Sequence, residues 1–250
     1  MLARLSRMPP AAPVESRAPT ASAWRRLLGE LLGSALLTAV VVGSGIAAQR
    51  LSPSDRGVQL LENSLATALG LVALILVFAP VSGAHFNPVV SVVDALLGHR
   101  AWRDIAGYVP AQIVGCIGGA ILANLMFGDP AVAFSTTDRL SWPHLLAEVV
   151  ATAGLVLVIF GLARTGRAAL AAPAVGAYIG AAYFFTSSTS FANPAITIGR
   201  MFSDTFAGIA PSSAPAYIAA ELLGGVLAWL LVRALFPVSS PPVPSAPASA

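Results

Sequence analysis

Two asparagine–proline pairs, Asn87-Pro88 and Asn193-Pro194, stand 193 − 87 = 106 residues apart in this 250-residue chain, and their side chains suggest selection of a solute rather than bond-breaking. An asparagine oxygen can cap a helix start while its amide N–H groups remain as donors, and proline is favoured at the first helical position. Each pair therefore begins a short helix. The pairs lie in apolar stretches, 81–97 and 189–199, too short to cross a bilayer once Asn-Pro is counted as a break, a length that suggests re-entrant segments. A half-helix whose N-terminus points at the bilayer centre brings about half a positive charge there. Two facing ends repel cations and admit a neutral hydroxylated molecule. The extended residues before each pair, Gly83, Ala84 and His85, then Thr189, Ser190 and Phe191, would expose carbonyls, tolerable at that depth only along a wet cavity. Central donors with carbonyl ladders on either side suit water and polyols.

Other chemically able residues are few. Glu30, Glu148 and Glu221 fall in apolar stretches and by default would suggest an ion path. His99 and His144 lack clustered partners, so no metal site is expected. Cys116 is the single cysteine and sits in an apolar run, so it reads as a buried structural thiol and excludes an intrachain disulfide.

The elements that must position these residues follow from composition. Apolar residues make up 56% of the chain and charged ones 10%, against about 25% charged in an average soluble domain. Mean hydropathy is +0.79. Six apolar stretches of about 20 residues are expected, at about 27–48, 60–81, 105–127, 142–163, 168–187 and 214–236. The chain is thus an all-α membrane protein. All 14 basic residues are arginines, scattered between apolar runs, which argues against nucleic-acid binding and for a topology signal. With an even number of spans, Arg50, Arg56, Arg139 and Arg200 share one side and the other ten the opposite side, so both termini are expected in the cytoplasm. Residues 1–24 contain no signal-peptide core and, like 237–250, read as a disordered tail.

The region 25–236 repeats internally. Tyr108-Val-Pro-Ala-Gln112 answers Tyr217-Ile-Ala-Ala-Glu221, Glu30 answers Glu148, and Asn87 answers Asn193, which divides the chain at about 25–127 and 142–236. Three spans per half is odd, so the second half enters from the opposite side, an inverted 3+3 repeat with its site near the midplane.

Ser82-Gly-Ala-His-Phe-Asn-Pro-Val, Phe191-Ala-Asn-Pro-Ala, Glu30, Glu148 and Gln112, at these spacings, resemble the major intrinsic protein family of aquaporins and aquaglyceroporins. The resemblance implies six spanning helices, two half-helices, one pore per subunit, a homotetramer in the inner cell membrane and no cofactor. It also implies that Glu30 and Glu148 brace the re-entrant loops. Two departures stand out. Val89 replaces the usual alanine of the first motif and is expected only to repack the half-helix junction. Ile196 follows Ala195 where most members carry the arginine of the outer filter. Counting back from the motifs places the remaining filter positions at Thr67, Ala181 and Ser190, so the constriction is expected to be wide and weakly polar. Arg200, one turn beyond Ile196, either leans into the outer vestibule or lies at the interface, snorkelling or paired with Asp204, and the sequence favours the interface.

The run Thr186 to Ala195, then Ile196 and Arg200, looks like a bacterial branch of aquaglyceroporins linked to arsenic handling. That likeness implies arsenite, antimonite, methylated arsenicals and glycerol as solutes, with some water. A water-selective or general small-solute channel, and a proton- or ion-coupled transporter, are the competing readings.

Overall fold

The computed structural model describes residues 21–237, so most of both expected tails lies outside the described residues. The helices are α1 (Ala23–Leu51), α2 (Arg56–Ser82), α3 (Pro88–Leu96), α4 (Trp102–Met126), α5 (Trp142–Arg164), α6 (Ala171–Phe185), α7 (Pro194–Arg200) and α8 (Ala214–Leu235). Six of them, with a short 3-10 turn at Ala168–Leu170 extending α6, are long and apolar enough to cross a bilayer. The other two, α3 and α7, are the half-helices. The first helix begins at Ala23, inside the stretch expected to be a tail.

Local chemistry sets the boundaries. Asp55 caps α2 by accepting from the N–H groups of Gly57 and Val58, at 2.9 and 3.0 Å, and Ser141 caps α5, whose second residue is Pro143. Gly83 ends α2 at φ 95°, a left-handed cap that lets the chain turn back into the bundle.

Packing repeats the internal symmetry. The most extensive contacts join α1 to α4 and α5 to α8, the corresponding pair in each half. Small residues permit the close approach. A Cβ on Gly115 would meet the Leu31 carbonyl of α1 at close range, and one on Gly224 would meet the Val149 carbonyl of α5 at 2.6 Å. Leucines such as Leu65, Leu69 and Leu76 of α2 face outward, as hydrocarbon surroundings require. Both ends of the described chain lie on one face of this bundle, here the terminal face, and the other is the far face. Helix α3 runs from the midplane toward the terminal face and α7 toward the far face.

Candidate functional site

The two re-entrant loops have the same backbone. Counting back from each asparagine, the fourth, third and first preceding residues have positive φ: Gly83 (95°), Ala84 (52°) and Phe86 (50°) in one loop, Thr189 (65°), Ser190 (54°) and Ala192 (50°) in the other. Five of these six are not glycine, a conformation costing about 1–3 kcal/mol per residue unless the surroundings enforce it. Two carboxylates enforce it. Glu30 accepts from the N–H groups of His85 (3.0 Å) and Phe86 (2.7 Å), and Glu148 from those of Phe191 (2.9 Å) and Ala192 (2.7 Å). Both are fully buried.

The asparagines join the loops. Asn87 caps α3 through its oxygen to the Val89 N–H (2.9 Å) and donates its amide to the Ala192 carbonyl (2.7 Å). Asn193 caps α7 through the N–H of Ala195 (3.0 Å) and donates to the Phe86 carbonyl (2.8 Å). Each cap therefore braces the opposite loop, and each amide keeps one N–H for the lumen.

A continuous cavity of about 240 Å³ passes both asparagines, from His99 and Ala171 near the terminal face to Ser190 and Arg200 near the far face. Gly83, Ala84, His85, Phe86 and Phe191 line it. Thr189, counted with the ladder from sequence, is not on the wall; its N–H turns back toward the Thr186 carbonyl, and Ser190 takes its place.

Of the four expected filter positions, Thr67, Ser190 and Ile196 are on the wall and Ala181 is not. Ala181 is exposed on the outer side of α6. The inward stripe of that helix is Val175, Ile179 and Tyr183, residues four apart and hence on one face. The pore-facing position precedes Asn193 by 193 − 183 = 10 residues, not by the 193 − 181 = 12 that leads to Ala181. Tyr183 shares a 3.0 Å hydrogen bond with Thr67, so this end is neither lined by small residues alone nor weakly polar. The Ser190 hydroxyl oxygen is buried and has no hydrogen-bond partner among the described residues.

Arg200 corrects the interfacial expectation. It is 2% exposed, lines the cavity, donates to the Ala207 carbonyl and lies 3.4 Å over the ring of Phe191. Asp204 instead accepts from the N–H of Thr136 at 2.9 Å. Arg139, read from sequence only as a topology signal, bonds the carbonyls of Gly208 (2.7 Å) and Phe206 (3.0 Å) and lies 5.3 Å from the same ring. Burial lowers its guanidinium from the ordinary pKa without removing the charge.

Val89 faces away from the lumen. It packs with Val93, Val156, Phe160 and Val232, and its Cγ1 occupies the space a side chain at Gly225 would need. The extra methyl groups are thus accommodated by a glycine on α8.

The halves differ at one polar pair. Gln112 donates to Glu30 (2.7 Å) and to the Ser91 hydroxyl (2.9 Å). In the matching place Glu221 accepts from Thr197 (2.6 Å), and its second oxygen has no partner among the described residues. Glu221→Gln restores an amide donor, so we expect stability to rise by about 1–3 kcal/mol. Thermal unfolding in detergent checks this, and a lower midpoint would contradict it.

Sequence reasoning also passed over Asp94 and Phe160, which line the terminal-face end with His99. Their signal is weak, because an acid or aromatic near a span edge is common.

Comparison with known proteins agrees with this geometry. The chain is 48% identical over 217 residues to the aquaglyceroporin AqpS of Rhizobium meliloti, spanning 87% of this chain and 92% of that protein. It is 30% identical over 224 residues to a glycerol uptake facilitator protein of Pseudomonas aeruginosa, spanning 78% and 79% respectively. The X-ray structure of the aquaglyceroporin from Plasmodium falciparum superposes with a TM-score of 0.67, covering 84% of this chain and 96% of that one at 22% identity, a likeness of fold. The Major intrinsic protein profile matches residues 17–192, which takes in the first repeat and about the first half of the second. With six spans, two facing half-helices and these relatives, the chain belongs to the major intrinsic protein family and is a passive membrane channel rather than an enzyme.

Proposed function

We propose that the chain conducts small uncharged polyhydroxylated solutes down their gradient: glycerol, urea and the neutral trihydroxides of arsenic and antimony, with methylated arsenicals and some water. The supporting observation is the two-sided character of the far half of the cavity wall. Ile179, Ile196 and Leu71 offer apolar surface, while Thr67, Tyr183, Ser190 and Arg200 offer polar groups. A polyol has the same two faces, carbon-bound hydrogens and hydroxyls. Arsenic and antimony trihydroxides resemble polyols in hydroxyl placement, and the likeness of the Thr186–Ala195 run to an arsenic-linked branch adds weight; the likeness to the aquaglyceroporin AqpS supports a polyol channel. Absence of the family arginine beside Ala195 leaves Ile196 facing the lumen, which favours solutes larger than water. We further propose a homotetramer in the inner cell membrane with cytoplasmic termini.

Stopped-flow light scattering on reconstituted protein tests the reading across water, glycerol, urea and arsenite. Glycerol and arsenite should pass far faster than through empty liposomes, whatever the pH or sodium gradient. Flux no faster than the empty control, or flux that follows such a gradient, would overturn it.

A further inference from the structure

The charged side chains at the far end of the bundle's cavity are positive. Arg200 lies on the wall and Arg139 beside it, both against Phe191, and neither forms an ion pair among the described residues. At the centre, α3 and α7 add the partial positive charge of their N-termini. Such a lumen repels cations, and by the same sign it draws in small anions. Rejection of anions therefore has to come from elsewhere.

Asp94 is the one acidic residue on the described cavity wall. It lies on α3 toward the terminal face. One carboxylate oxygen accepts from His99 Nδ1 and the other from Arg100 Nε, each at 3.2 Å, and His85 Nε2 is 3.5 Å away. Arg100 is off the wall. It is held behind by the Tyr108 hydroxyl (2.9 Å) and the Ser82 carbonyl (3.1 Å), with its guanidinium 4.8 Å from the Tyr108 ring. The negative member of this pair is on the cavity wall and the positive member is not, although both side chains are largely buried.

We propose that Asp94 is the anion barrier of the channel, a carboxylate at the terminal-face mouth that turns back monovalent anions which the positive centre and far end would admit. The inference rests on the channel reading but is separable from it, because glycerol flux through the wild type tests that reading alone. Asp94 sets specificity from the mouth, so a purely structural partner of Arg100 would not alter ion selectivity.

The test is nitrate permeability, read as current and reversal potential in planar bilayers and as flux in the liposomes used for glycerol. Asp94→Asn, in a preparation that still conducts glycerol, should raise nitrate conductance about tenfold or more, the effect of about 1.4 kcal/mol, and move the reversal potential toward that of nitrate. Asp94→Glu should restore the wild-type value. A second variant, Ala163→Lys, places a positive side chain on the wall near the same mouth and should also raise nitrate conductance. Either neutralised or lysine variant conducting glycerol while passing no more nitrate than the wild type would overturn the proposal.

Discussion

Replacing Ile196 with arginine is expected to lower glycerol flux about tenfold or more, equivalent to at least about 1.4 kcal/mol of added barrier, and to lower water flux much less. Ile196 is the third residue of α7, anchored where its N–H meets the Asn193 oxygen at 3.3 Å, and its side chain lies on the cavity wall. An arginine there projects a longer side chain into space shared with Tyr183 and Ser190. It also sets a second guanidinium one turn from Arg200, and like charges at this spacing repel. The new side chain is thereby driven away from Arg200 and into the lumen. A three-carbon polyol must exchange several hydrogen bonds at once in that narrowed passage, whereas water exchanges few. Stopped-flow rates for both solutes in one preparation decide it: an equal fall in both would show that position 196 does not set the constriction.

Much of the architecture was legible in the sequence because its signals are local. Hydropathy over about 20 residues marks a span whatever surrounds it, and Asn-Pro marks a helix start because the cap and the fixed φ of proline belong to adjacent residues. Both half-helices accordingly begin at Pro88 and Pro194. The errors arise where one element had to be placed against another. Counting back from Asn193 to Ala181 passes through a connection whose length no local signal fixes, whereas the periodicity of α6 itself, Val175, Ile179, Tyr183, identifies the inward stripe. Arg200 was matched to Asp204 by helical spacing, but α7 ends at Arg200 and Asp204 lies beyond it, bonded to Thr136. The fit of Val89 against Gly225 joins residues far apart in the chain, and nothing near either position announces it.

Removing the Glu148 carboxylate should cost more than any single change to the cavity wall. In Glu148→Ala the N–H groups of Phe191 and Ala192 lose their acceptor in a fully buried site, at about 1–3 kcal/mol each. The left-handed conformations of Thr189, Ser190 and Ala192 also lose the contact that enforces them. A destabilisation of about 3–5 kcal/mol follows, large for a point substitution, together with loss of flux as the Ala192 carbonyl no longer meets the Asn87 amide. Glutamine is the more discriminating replacement. At position 148 it keeps one acceptor oxygen and removes a charge from the neighbourhood of Glu221, so part of the loss is offset. At position 30 the same change is harsher, because Glu30 accepts from four donors, Ser82, His85, Phe86 and Gln112, and the place that matches Glu221 holds Gln112 rather than a second acid. The expected order of thermal midpoints in detergent is therefore wild type, then Glu148→Gln, then Glu30→Gln, with Glu148→Ala well below wild type. If Glu148→Ala unfolds with the wild type and still conducts glycerol, the carboxylate does not hold the loop. If Glu30→Gln proves milder than Glu148→Gln, the asymmetry between Gln112 and Glu221 has no energetic weight.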